Sequence, residues 1–266
     1  MSFNAYGASV GIRTNDAAIL DRVPEIMPPE WEARETPVVD SLFSLWVGQP
    51  AKQRGRRQYH LLYSGAARVS RSLDMAAVLH DLENYLLLTV AYWAKEDHLF
   101  VHAGVVGWQG RAIVMPGRSH TGKTTLVSEL IKAGATYYSD EMALFDPQGR
   151  VHPYPIPLSV REEKGVCKYA PAAFGADTGV APLPVGLILV TEYNAGAVWR
   201  PRRLSPGRGL MALLDNTVAA RKAPAVSLPI LSQVVEGALV LKTRRGEASQ
   251  VAPQLLALLS RADAGV

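Results

Sequence analysis

The 266-residue chain is poor in several features, and each shortage excludes something. It has one cysteine, Cys167, so it holds no internal disulfide and no multi-cysteine metal site, and an unreactive packing thiol is the expected role. It has no long hydrophobic run. The most apolar stretch, Leu86 to Trp93, is far too short to span a bilayer and follows the polar His80, Asp81, Glu83 and Asn84, so no membrane is expected. Met1 to Ile12 lacks a basic segment followed by an apolar core; no secretory signal is expected, and a soluble cytoplasmic protein is the default. Zinc-ligand spacing, an RNA-binding signature and a basic surface interleaved with aromatics are all missing, which sets nucleic acid aside as a partner. Charge of one sign is also scarce. The net value is +4, and part of it sits in Lys52, Arg54, Arg56 and Arg57, a cluster that reads as a solvated loop before a docking patch. No internal repeat is evident.

What remains is the composition of a folded protein: 48% hydrophobic and 20% charged residues exclude extensive disorder. The length suits one large α/β domain, or one domain with a smaller appendage.

The most informative run is Gly117-Arg118-Ser119-His120-Thr121-Gly122-Lys123-Thr124, which matches G-x-x-x-x-G-K-[ST]. Its flanks suit a phosphate-cradling loop. Arg111 to Met115 is a short apolar run of the kind that forms a buried strand, and Leu126, Val127, Leu130 and Ile131 mark one face of a following helix. Lys132 falls in its last turn and Gly134 supplies the stop. Glycines let the backbone approach an anion, successive N–H groups point inward, and the helix N-terminus adds partial positive charge. Gly117 to Thr125 is therefore the expected nucleotide-binding segment. Lys123 is expected to reach the β- and γ-phosphates and the Thr124 hydroxyl to ligate magnesium, while His120 serves through its backbone and Thr125 has no separate role. The motif alone does not distinguish kinase, ATPase or GTPase.

The chain reads as two regions, 1–97 and 98–266. The first is a small α+β unit, with strands at Ser9–Arg13, Ser41–Val47, Gln58–Tyr63 and Ala67–Leu73. A helix capped by Asn15 or Asp16 is expected to run to Ile26, and a long one from Asp74 to about Ala94 carries a stripe of Val78, Leu82, Tyr85, Thr89 and Trp93. In the second region Leu99–Val106 and Arg111–Met115 form a hairpin around Gly107-Trp108-Gln109-Gly110 that delivers the chain to the loop. Thr136–Phe145, Val185–Thr191 and Ala238–Thr243 are expected strands, Leu210–Leu214 begins a helical stretch, and Val251–Ala262 is a terminal helix. Ala170 to Leu183, rich in Ala, Gly and Pro, reads as a mobile loop or lid.

Asp140 and Glu141 stand in the strand after the loop helix, where magnesium and an attacking hydroxyl need carboxylates. Four segments in sequence order then resemble the catalytic core of HPr kinase/phosphorylase and the serine kinases related to it. They are Val101-His102-Ala103-Gly104-Val105-Val106, the loop Gly117 to Thr124, Tyr138-Ser139-Asp140-Glu141 with glutamate where the family has a second aspartate, and Ser205-Pro206-Gly207-Arg208-Gly209. The likeness covers roughly Leu99 to Ala220, and the preceding region does not look like the N-terminal domain of HPr kinases. Ser159-Val160-Arg161 is the nearest counterpart of a family Glu-Ile-Arg stretch, keeping the arginine and losing the glutamate, with Glu162 and Glu163 as possible substitutes.

The resemblance implies an α/β phosphate-loop domain of the HPr kinase C-terminal type that uses ATP and magnesium. Asp140 would be the general base with His102 beside it, Lys123 the phosphate-binding cation, and Arg208 would neutralise charge developing on the transferring phosphoryl group. Thr124, Glu141 and Asp140 would serve the metal. The acceptor would be a serine hydroxyl of a peptide or protein; a small-molecule hydroxyl acceptor, or a regulatory module that binds ATP without turnover, are the alternatives. The family also implies an oligomer of identical chains.

Overall fold

The computed structural model describes residues 1–48, 58–95, 97–117, 121–162 and 165–263. It is a mixed α/β structure in two compact units, Met1–Lys95 and Glu96–Val266.

In the first unit, strands β1 (Ser2–Ala5), β2 (Ala8–Thr14), β3 (Glu32–Arg34), β4 (Ser41–Trp46), β5 (His60–Ser64) and β6 (Ala67–Ser72) form a sheet in the order β3-β1-β2-β4-β5-β6. Only β2 and β4 pair in parallel. Phe3 and Ala5, Val10 and Ile12, Phe43 and Leu45 fall at every second position and are buried, the period of a sheet covered on one face. Helix α1 (Met75–Trp93) packs against β2, β5 and β6. Its cap is Asp74, whose carboxylate accepts from the Ala76 amide at 2.9 Å. The buried face steps through Val78, Leu82, Leu86 and Val90 rather than through Tyr85, Thr89 and Trp93, and Trp93 is 37% exposed. The segment after Asp16 is a 3-10 helix, Ala17–Ile26, with Pro24 inside it, a residue that donates no backbone hydrogen bond. The basic cluster at Lys52, Arg54, Arg56 and Arg57 lies outside the described residues.

The second unit runs β7 (Leu99–Trp108), β8 (Arg111–Pro116), α2 (Lys123–Lys132), β9 (Thr136–Ser139), β10 (Met142–Phe145), β11 (Val151–His152), β12 (Leu158–Glu162), β13 (Gly165–Tyr169), β14 (Val185–Tyr193), β15 (Arg202–Arg203), α3 (Pro206–Leu214), α4 (Pro224–Glu236), β16 (Leu239–Arg245) and α5 (Ala248–Asp263). Its main sheet has the order β11-β10-β7-β8-β14-β16-β15, with β9 also on β7. Strands β8, β14 and β16 are mutually parallel, and β7 is antiparallel to β8. The β7–β8 hairpin is longer than the sequence suggests: Gly107 and Trp108 still pair with Ala112 and Arg111. The turn is left to Gln109 and Gly110, both with positive φ, at 49° and 78°, which matches the twist of the flanking strands.

Both faces of this sheet are covered, which is why its strands read as continuous apolar runs. Ile113 and Met115 of β8 join Leu187 and Leu189 of β14 against Leu126, Leu130 and Leu255 of α2 and α5. Their sequence neighbours Ala112, Val114 and Ile188 pack on Leu213, Leu231 and Val234 of α3 and α4. Each such fully buried aliphatic side chain contributes about 1.5–3 kcal/mol.

Two expectations change here, and two other segments gain detail. The single strand expected at Thr136–Phe145 is two strands, β9 and β10, broken at Asp140 and Glu141. Helix α3 begins at Pro206, so Pro206-Gly207-Arg208 is its first turn, capped by Ser205, and not a surface turn before a later helix. Helix α4 was masked in the sequence by Pro224 and Pro229, the first of which sits at the helix start where no N–H is needed. The Ala170–Leu183 stretch is laced to the sheet edge: the Tyr137 amide donates to Asp177, the Gly179 amide to Tyr137, and the Tyr138 hydroxyl to the Ala181 carbonyl. Among the described residues, no helix is long and apolar enough to cross a membrane.

Candidate functional site

The site gathers at the carboxyl ends of the parallel strands, where open α/β sheets leave a crevice. Strand β8 ends at Pro116 and helix α2 begins at Lys123. The residue between loop and helix is Gly122, in left-handed conformation with φ +84° and with no side chain to cap the helix. A helix start without a side-chain cap leaves first-turn amides for a ligand. Arg118, Ser119 and His120 lie outside the described residues; Gly117 and Thr121 to Thr125 lie within them. Lys123 is buried, and its ammonium donates to the Gly117 carbonyl at 2.7 Å, across the mouth of the loop. Burial pushes its pKa down, against the pull of the Glu141 and Asp140 charges.

The acid pair occupies the break between β9 and β10. Ser139 still pairs with Val105 and Met142 with His102, so the chain keeps its register on β7 across the break. The Ser139 hydroxyl accepts from the Met142 amide at 3.1 Å and pins the bend. Between them the two carboxylates meet opposite fates. Glu141 accepts from His102 Nε2 at 2.8 Å, and His102 stands on β7 directly across from Met142. Burial works to raise the Glu141 pKa, but that hydrogen bond, with the charges of His102 and Lys123, outweighs it and holds the carboxyl below its usual range.

Asp140 is 1% exposed, and among the described residues neither of its oxygens completes a hydrogen bond. Burial, helped by the Glu141 charge, pushes its pKa up to about 7; the nearby Thr124 hydroxyl, Lys123 ammonium and Ser159 amide pull the other way without overcoming it. A carboxyl poised there is half a base at neutral pH, which is the condition general-base chemistry favours.

The structure thus brings His102, Lys123, Thr124, Asp140 and Glu141 together. Arg208 is exposed in the first turn of α3, and its guanidinium makes no hydrogen bond or ion pair among the described residues. What α3 delivers to the site is the turn after its other end, where the His102 amide donates to the Asn216 carbonyl at 2.8 Å. Arg161 falls on β12; its side chain and those of Glu162 and Glu163 lie outside the described part.

Sequence reasoning missed Arg245. It ends β16, is 1% exposed, and donates to the Gly122 carbonyl at 2.6 Å and to the Gly246 carbonyl at 2.9 Å. Its guanidinium lies 5.6 Å from the Tyr193 ring centroid, at the end of the neighbouring strand, while the Tyr193 amide donates to Thr121 at 3.1 Å. Burial lowers its pKa, and Glu247 and Tyr193 oppose that. The clue was present: an arginine closing an apolar run that forms a parallel strand points to the ligand end of the sheet.

The residues present fit a nucleoside triphosphate with a divalent ion. An uncapped helix start and a buried cation suit phosphate, and the two unpartnered Asp140 oxygens suit a proton or a cation. No group of three or more His, Cys, Asp or Glu able to hold a metal occurs among the described residues. A hard divalent ion would therefore be held by Thr124 and one or two carboxylates together with phosphate oxygens, the usual mode for magnesium.

No protein-family model matches the chain, and no curated protein matches it. Among solved structures it is similar to the HPr(Ser) kinase/phosphatase from Coxiella burnetii, at 13% identity over 62% of this chain and 90% of the other, with a TM-score of 0.35. A likeness this distant bears on neither activity nor substrate.

Proposed function

We propose that the unit from residue 96 onward is an ATP- and magnesium-dependent phosphotransferase that moves the γ-phosphoryl group to a hydroxyl, with a serine of a peptide or protein as acceptor. The observation that carries this reading is Asp140: a buried carboxylate whose oxygens complete no well-formed hydrogen bond among the described residues, with the Thr124 hydroxyl and Ser159 amide nearby but not strong enough to offset its burial. A carboxylate kept for folding alone would have its oxygens satisfied. The four motif segments, in sequence order, support the serine acceptor.

The amides at the start of α2 and the Lys123 ammonium would hold the phosphate tail, Lys123 exchanging the Gly117 carbonyl for phosphate oxygens. Thr124 and Glu141 would hold magnesium, which would supply charge neutralisation on the phosphate oxygens. His102 keeps Glu141 oriented through their hydrogen bond. Asp140 takes the proton of the acceptor hydroxyl as that oxygen bonds to the γ-phosphorus. The bond from phosphorus to the bridging oxygen of ADP breaks, and the proton passes from Asp140 to solvent.

The test is transfer from γ-labelled ATP to a panel of serine peptides, proteins and small alcohols. Transfer is expected in the wild type and lost in Lys123→Ala and Asp140→Asn; undiminished transfer in both variants would overturn the reading.

A further inference from the structure

Beyond the phosphate end, a pocket of about 440 Å³ opens between the segment after β14 and the first turns of α5. That volume lies within the ordinary range for small-molecule sites. Its walls are Gly196 to Trp199 on one side and Gly246, Glu247, Gln250 and Gln254 on the other. The two sides are drawn together at Gly246, where even a Cβ would come within 2.7 Å of the Ala197 carbonyl oxygen.

The pocket is tied to the loop by one side chain. Arg245 donates from one nitrogen to the Gly122 carbonyl at the start of α2, and from the other to the carbonyl of Gly246 in the pocket wall. Two carbonyls bridged by a single guanidinium stand roughly 8 Å apart at most, from two hydrogen-bond lengths and the fork between the nitrogens. A ribose and its first phosphate span about that gap, taking some 3 Å per two or three bonds.

The chemistry of the lining is selective. Trp199 is half-buried, packs on the core and lines the pocket, offering an aromatic surface for a flat ring. Gln250 is exposed, and among the described residues its side-chain amide has no partner, so it presents a donor and an acceptor side by side. That pair complements the N6 amino group and N7 of adenine. Gln254 has turned its own amide to the Gln250 carbonyl at 2.9 Å, and Glu247 accepts from the Tyr193 hydroxyl at 2.9 Å, so both are held in place around the opening.

We infer that this pocket is the adenine site of the nucleotide, with the base stacked on Trp199 and read by Gln250, and with Arg245 joining base end to phosphate end. The inference rests on the phosphate-loop reading above.

Titration calorimetry with ATP, CTP and inorganic tripolyphosphate, each with magnesium, separates the two. The wild type is expected to bind ATP more tightly than CTP. Trp199→Leu, which keeps apolar packing, and Gln250→Ala, on an exposed helix position, are each expected to weaken ATP about tenfold, the usual scale for one stacked or doubly hydrogen-bonded base, while leaving tripolyphosphate unchanged. Lys123→Ala is expected to weaken both ligands. ATP binding unaltered by both pocket variants, with tripolyphosphate still bound and still sensitive to Lys123→Ala, would overturn the adenine site and leave the phosphate loop standing. Absence of binding of ATP and tripolyphosphate by the wild type would remove both.

Discussion

Two carboxylates lie at opposite ends of the four-residue strand β10, and the structure treats them in opposite ways. At one end, Asp146 is satisfied by its own turn: Oδ1 accepts from the Gln148 and Arg150 amides at 3.0 and 2.9 Å, and Oδ2 from Arg150 Nε and His152 Nε2 at 2.8 and 3.0 Å. Burial alone would raise its pKa, but these bonds win and hold it below the usual carboxylate value. At the other end, Asp140 is more deeply buried and completes no well-formed hydrogen bond among the described residues, and its pKa goes up, chiefly through burial. A structural carboxylate closes its local turn; a carboxylate left short of donors is kept for something that arrives.

The contrast can be broken or sharpened by experiment. Largest is the effect on chemistry. Asp140→Asn is expected to lower phosphoryl transfer about 10²–10⁴-fold, the range for a lost general base, while Asp146→Asn leaves the rate per folded molecule within a fewfold. Rates per active site in single-turnover assays check this, and equal losses in both variants would erase the distinction.

Next is stability, where the order reverses. Without nucleotide at pH 8, Asp140→Asn is expected to stabilise the fold by about 2–4 kcal/mol, because it removes a buried, unpaired charge. Asp146→Ala is expected to destabilise by about 2–4 kcal/mol, leaving the amides and cations of its turn without an acceptor. Urea denaturation curves give both values, and the same sign for the two variants would refute the contrast.

The pH dependence follows with opposite windows. The Asp140 pKa is raised from 3.8 to about 7, so its contribution to stability is fully present below about 4 and is lost as pH rises towards 7. The Asp146 pKa is lowered from 3.8, so its contribution is present above that value and is lost as pH falls below it. Each variant compared with wild type between pH 3 and pH 9 isolates its own window; a flat difference for Asp140→Asn from pH 4 to 7 would contradict the assigned burial. Smallest is the helper. His102→Gln, which keeps a donor near Glu141 but removes the imidazole, is expected to reduce transfer about tenfold, read as a change in kcat.

How legible this was depended on whether the signal was local. The hairpin before the loop and the α2 apolar face could both be read, because turn chemistry and helical period are written in adjacent residues. Asp140 and Glu141 were visible as an acidic pair, but the difference between them was not, since it comes from His102 on another strand and from burial under α2 and β12. Arg245 was hidden for the same reason: it meets Gly122 only after β16 docks beside β14. The break in Thr136–Phe145 escaped notice because both halves are buried nearly throughout, and a bend pinned by the Ser139 hydroxyl has no strong compositional mark. Helix α4 was obscured by prolines, whose penalty vanishes at a helix start.

The reach of Arg245 to Gly122 spans 123 residues of chain, and the Tyr193 amide also reaches back to Thr121, over a shorter separation. The β7–β8 hairpin finds its partner within a few residues, whereas the glycine at the head of α2 waits for the end of β16. Contacts so far apart in sequence form late in folding. A chain ending before residue 245 therefore carries the motif without its brace, and on the proposed reading it is expected to hold the phosphate end of a nucleotide less firmly.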